Sequence, residues 1–144
     1  MVHDWDRNVA YDGEAKKAFH RQAKKCLKAL ASELGFAPGT YDLRSNMGGI
    51  AVSGEVTLHH DDIYVQVSKG SGGADRGVMV RTCEGRKDYS GGRNHFAPLS
   101  WLDSGDGKLA RLCRQVREQK VGFDADAVDD PSYHPVYSTP VFNS

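Results

Sequence analysis

The chain has 144 residues, in which nineteen Lys and Arg are balanced by nineteen Asp and Glu. That length predicts one domain able to bury roughly two thirds of its unfolded surface, and the zero net charge excludes bulk attraction to nucleic acid or membrane. Cys26, Cys83 and Cys113 are far apart with no Cys-x-x-Cys pair, which argues against a disulfide framework or zinc site and for buried reduced thiols.

Residues 1–12 scatter Trp5, Val9 and Tyr11 among charges and read as an arm laid on the domain. Asp12 is a candidate N-cap for a first helix, whose Phe19, Ala23, Cys26, Leu27, Leu30 and Leu34 recur at helical spacing. Gly35 suits the left-handed residue past its end, with Phe36 folding back on the last turn. Lys16, Lys17, Arg21, Lys24, Lys25 and Lys28 fall off the apolar stripe, so the outer face is basic.

Tyr41 and Leu43 begin a first strand, and Asn46-Met-Gly-Gly49 reads as a turn. Alternation of Ile50, Val52, Val56 and Leu58 predicts a central strand over 50–58. His59-His-Asp-Asp62 is then a tight connection to Ile63–Val67, and a glycine-rich loop over 69–77 leads to a fourth strand at Val78–Thr82. The His59–Asp62 turn has the residue types of a metal site, but neighbouring strand residues face opposite ways, and no metal is predicted. The 69–77 glycines connect strands and lack the Lys-Ser/Thr of a phosphate loop. No pattern calls for a cofactor.

Residues 84–97 show no periodicity and read as a long loop. It gathers Arg86, Lys87, Tyr89, Arg93, Asn94 and His95 around Gly91-Gly92, side chains suited to phosphates, carboxylates or bases. Ser90 and Asp88 neighbour His95 in sequence only, so no catalytic residue is assigned. A short helical turn at 97–102 precedes a second helix capped by Asp106, with Leu109, Leu112, Cys113 and Val116 inward and Lys108, Arg111, Arg114 and Arg117 in a basic row. Gly122 ends it. Segment 123–144 is an extended tail carrying Asp124, Asp126, Asp129 and Asp130 with Phe123, Tyr133, Tyr137 and Phe142.

The expected architecture is α+β: a four-stranded antiparallel sheet with an N-terminal and a C-terminal helix packed on one face and an extended tail. Residues 1–122 form the single domain, with its core over 12–122. The other sheet face would show Arg44, Glu55, Tyr64, Gln66, Met79 and Arg81, either open or covered by the arm or the tail with Trp5 or Phe142 as anchor. With a polar N-terminus and no run of ~20 apolar residues, no signal peptide or membrane span is read, and a soluble cytoplasmic protein is expected.

Gly49–Leu58 together with Cys83–His95 resembles small proteins encoded by bacteriophages and plasmids, without a named family. The resemblance implies a mobile-element accessory protein, in a host cytoplasm, that occludes a host protein; inhibitors of CRISPR or related defence systems are one such class. Many of those are strongly acidic, and this neutral chain departs from that pattern. The functional expectation is a non-catalytic macromolecule-binding protein whose main site is Arg86, Lys87, Tyr89, Arg93, Asn94 and His95. Its partner would be a host or phage protein or nucleic acid, with a homodimer through the tail as a further possibility. A basic face of Lys17, Arg21, Lys24, Arg111 and Arg114 serves the alternative of nucleic-acid binding. A small hydrolase or nuclease using His95 or the His59–Asp62 turn is the other alternative.

Overall fold

The computed structural model describes residues 4–69, 76–85 and 88–120, with only the backbone described at 88–91, 119 and 120. The predicted tail, Arg86 and Lys87 therefore lie outside the described residues. Within them the order is α1 (Gly13–Glu33), β1 (Tyr41–Asn46), β2 (Glu55–His60), β3 (Ile63–Ser68), β4 (Val78–Gly85), β5 (Asp88–Gly91), β6 (His95–Ala97), a 3-10 turn (Leu99–Leu102) and α2 (Lys108–Lys120). The fold is α+β with an antiparallel sheet.

Helix α1 begins where a carboxylate can satisfy an otherwise orphaned amide: Ala15 N donates to Asp12 Oδ1 at 3.0 Å. That bond is the main cause holding the Asp12 carboxyl below its ordinary pKa. The helix ends at Gly35, whose φ of 82° costs glycine little, and Phe36 N then donates back to the Ala31 carbonyl at 2.9 Å. At the start of α2, Asp106 Oδ1 accepts the Lys108 amide at 3.1 Å.

Strands β1 to β5 follow one another in order, and β6 pairs with β4 at Val78–Val80 beside the stretch that β5 takes. Strict alternation gives the sheet two faces. Val56, Leu58, Ile63, Val65, Val67, Val78 and Val80 point to the helices and form one core with Phe19, Ala23, Leu27 and Leu30 of α1 and Leu109, Leu112 and Val116 of α2. Each of the Val, Leu, Ile and Phe side chains among them contributes about 1.5–3 kcal/mol through burial. Trp5 joins this core, edge-on to Phe19 at 5.9 Å, with its indole N–H donating to Asp103 at 3.0 Å. The N-terminal arm is thus a packed part of the domain on the helix side.

Three expectations need correction. The sheet has six strands among the described residues, because the 84–97 stretch contributes β5 and β6. The strand expected over 50–58 begins only at Glu55, since pairing with β1 stops at Asn46 opposite Glu55. Gly48 (φ 65°) and Gly54 (φ 71°) turn the chain between them, and Ile50 and Val52 are left 72% and 51% exposed. Finally, β2 runs through His60, so Asp61 and Asp62 alone make the connection to β3.

Candidate functional site

The 84–97 residues are spread through the sheet. Tyr89 sits in β5, and Arg93 and Asn94 are partly exposed between β5 and β6. Arg81 Nη1 donates to Asn94 Oδ1 at 3.4 Å. Gly92 is held on β4, its amide 3.1 Å from Thr82 Oγ1 and 3.3 Å from the Thr82 carbonyl. His95 pairs with Val80 in β6, faces the helices and is 1% exposed. A side chain so enclosed cannot touch a macromolecule at the surface, and the described part of the expected site narrows to Arg93 and Asn94.

The His59–Asp62 residues also separate. His59 Nε2 lies 2.7 Å from Thr57 Oγ1, edge-on to Tyr64, while His60 stacks on Phe36 from the other side at 3.7 Å. Asp62 accepts from Arg117 Nη2 at 3.1 Å. Among the described residues no three His, Cys, Asp or Glu side chains gather into a set that could hold a metal.

The basic faces divide by helix. On α2, Arg114 Nη2 donates to the Glu33 carbonyl at 3.1 Å, Arg117 binds Asp62 and lies over Phe36 at 5.1 Å, and Lys108 lies over Trp101 at 5.7 Å. These cations hold the fold together. Arg111 is exposed beside them. On α1, Lys17 is exposed and pairs with Glu14 at 3.7 Å. Arg21, Lys24, Lys25 and Lys28 are exposed and line one groove of about 600 Å³, whose far bank is Pro38, Tyr41, Asp42 and Leu43 at the start of edge strand β1. Lys25 and Lys28 extend the expected Arg21–Lys24 pair, and the loop of 35–40 supplies the wall that turns a charged face into a concave one.

A second polar cluster escaped the sequence. Lys16, placed there among the outer basic residues, is 7% exposed and donates to the Gly49 carbonyl at 2.7 Å. One turn on, His20 Nε2 is 2.7 Å from the Ser53 carbonyl and Nδ1 is 2.6 Å from Ser45 Oγ. A carbonyl only accepts, so Nε2 carries the proton. Together with Tyr11 N, which donates to the Ile50 carbonyl at 2.8 Å, these groups fasten the 47–54 loop to α1. The available signal was their i, i+4 spacing one turn ahead of the Phe19–Ala23 stripe.

The three thiols are reduced and buried, and Cys83 Sγ donates to the His60 carbonyl at 3.1 Å. Burial pushes Cys26 from 9.0 to about 11 and Cys113 to about 12, so neither serves as a thiolate nucleophile near neutral pH. No helix of the described residues is long and apolar enough to cross a membrane.

Compared with protein-family models, with curated proteins and with solved structures, the chain finds no match.

Proposed function

We propose that this protein is a non-catalytic macromolecule-binding protein that receives an acidic segment of a partner protein in the groove between α1 and β1. The observation that carries the reading is the grouping of Arg21, Lys24, Lys25 and Lys28 on one bank of that groove. They span eight residues of helix, about 10 Å of continuous positive surface. The opposite bank supplies Pro38, Tyr41 and Leu43, apolar surface for the partner's uncharged side chains, and Asp42, which repels a phosphate chain more than a peptide of mixed character. A mobile-element accessory protein that occludes a host target would dock through a surface of this kind.

The test is fluorescence anisotropy with a labelled peptide of alternating Asp and Leu, set against a labelled oligothymidylate. Reversing Lys24→Glu, Lys25→Glu and Lys28→Glu together weakens peptide binding roughly tenfold or more, since each exposed pair is worth about 0.2–1 kcal/mol. Tighter binding of the oligonucleotide, with affinity falling steeply as salt rises, replaces the reading with nucleic-acid binding. Equal binding by the native and reversed chains removes the groove altogether.

A further inference from the structure

The two ends of the strand order differ in character. β5 is four residues long and pairs with β4 through a register shift. β1, at the other end, has six residues, each paired with β2 in one unbroken register, with no proline among them and four of the six exposed. A short, irregular edge resists a further strand, whereas a regular one presents a row of backbone donors and acceptors. No strand among the described residues lies beyond β1.

Two hydrogen bonds fix which backbone groups that edge presents. Cys83 N donates to the Asp62 carbonyl at 3.1 Å and Ser68 N to the Gly77 carbonyl at 2.9 Å, just beyond either end of the β3–β4 register. In an antiparallel ladder, bonded and unbonded pairs alternate. Tyr64 and Gln66 therefore bond toward β4, while Val65 and Val67 bond toward β2, where they meet Leu58 and Val56. Glu55, Thr57 and His59 are left to bond β1 at Asn46, Arg44 and Asp42. The N–H and C=O groups of Tyr41, Leu43 and Ser45 consequently point out of the sheet.

The side chains of the same three residues face the helices. Tyr41 and Leu43 pack against the main core, and Ser45 Oγ lies 2.6 Å from His20 Nδ1 of α1. Residues directly opposite one another on neighbouring strands share a face. A strand entering beside β1 thus sets every second side chain on the α1 side, next to Arg21, Lys24, Lys25 and Lys28. Its other side chains meet Asp42 and Arg44, whose opposite charges stand 3.9 Å apart.

We propose that the acidic segment received by the groove binds as a β-strand added to β1, its carboxylates at alternate positions facing α1 and its main chain bonded to Tyr41, Leu43 and Ser45. The inference rests on the groove reading and adds the bound conformation: an extended segment with Asp or Glu at every second residue. A second copy of this chain suits the edge poorly. Two-fold pairing of β1 with β1 keeps both α1 helices on one face and sets like charge beside like.

The test uses the Asp–Leu peptide in two further forms, one N-methylated at every Asp and one at every Leu. A strand turns one of these sets of amides toward β1 and the other toward solvent. One methylated peptide should therefore bind roughly tenfold or more weaker than the parent, through lost hydrogen bonds, and the other about as well. Equal affinities for the two, whether both kept or both lost, overturn the added strand while leaving the groove reading in place. A parent peptide that does not bind removes the groove reading and this inference with it. Amide hydrogen exchange gives a second readout: bound peptide should slow Tyr41, Leu43 and Ser45 roughly tenfold or more and leave Asp42, Arg44 and Asn46 unchanged. Unchanged rates at Tyr41, Leu43 and Ser45 under saturating peptide contradict the proposal. Slowing of those three with rising protein concentration alone assigns the edge to a second copy and overturns it too.

Discussion

Arg114 of α2 donates from Nη2 to the main-chain carbonyl of Glu33, 3.1 Å away at the end of α1. The last turn of α1 has no basic residue of its own, so the cation that complements its exposed carbonyls comes from the other helix. Arg114→Ala should cost about 0.5–1 kcal/mol, the usual worth of a charge at a helix C-terminus. Lys24→Ala, on the exposed groove bank, should stay within about 0.5 kcal/mol of native. Urea midpoints compare them directly, and equal losses would mean that Arg114 caps nothing.

The helices were legible because caps and stripes act locally: Asp12, Gly35 and the Phe19–Leu30 spacing each have a contact that enforces them. Strands β3 and β4 were legible because alternation there coincides with pairing on both sides. Alternation misled at Ile50 and Val52, which lie beyond the last β1–β2 pair, Asn46 with Glu55, and no strand among the described residues pairs with them. Strands β5 and β6 are too short to show a period, and they exist because β4 offers them an edge. The same reasoning explains the candidate site. A polar sequence looked like a free loop, but tertiary pairing drew His95 inside, and the groove on α1 depended on a wall from residues 35–40 that helix periodicity cannot display.

His20 and Lys16 hold an outward-facing loop, so their loss should be felt more than the loss of the loop's own apolar side chains. His20→Ala leaves the Ser53 carbonyl and Ser45 hydroxyl without the ring and should cost about 2–3 kcal/mol. Ile50→Ser, at a largely exposed position, should change stability by less than about 0.5 kcal/mol. Thermal melts that rank Ile50→Ser as the worse variant would show that the loop is packed against something after all.

Gly54 is a position where only glycine fits. A Cβ there would sit 2.3 Å from the Asn46 carbonyl oxygen, a backbone atom that cannot swing aside, at a φ of 71°. Gly54→Ala should therefore destabilise by more than about 2 kcal/mol. Gly13→Ala, at the open first position of α1 with nothing within 4 Å of the added carbon, should be neutral or stabilising by up to about 1 kcal/mol. Denaturant titration of the two alanine variants separates them.

The buried thiols set an alkaline limit. Cys26 and Cys113 hold their protons more tightly folded than unfolded, with values raised from 9.0 to about 11 and about 12. The unfolded chain thus releases protons first, so this stabilisation is complete below pH ~9 and is lost as pH rises from there toward the folded values. Asp12 and Asp106 act in the opposite direction: their lowered values give stability that is present above the ordinary carboxylate pKa and lost as pH falls through it. A stability profile by urea unfolding should fall at both ends. Replacing Cys113 with Ala should flatten the alkaline side, and an unchanged alkaline slope would point to other groups.

The proposed role of the groove is tested most directly by titrating the Asp–Leu peptide into isotopically labelled protein and following backbone amide shifts. The account predicts changes centred on Arg21–Lys28 and Pro38–Leu43, with Arg93 and Asn94 silent. Shifts centred on 88–97, or none at all at saturating peptide, would contradict it.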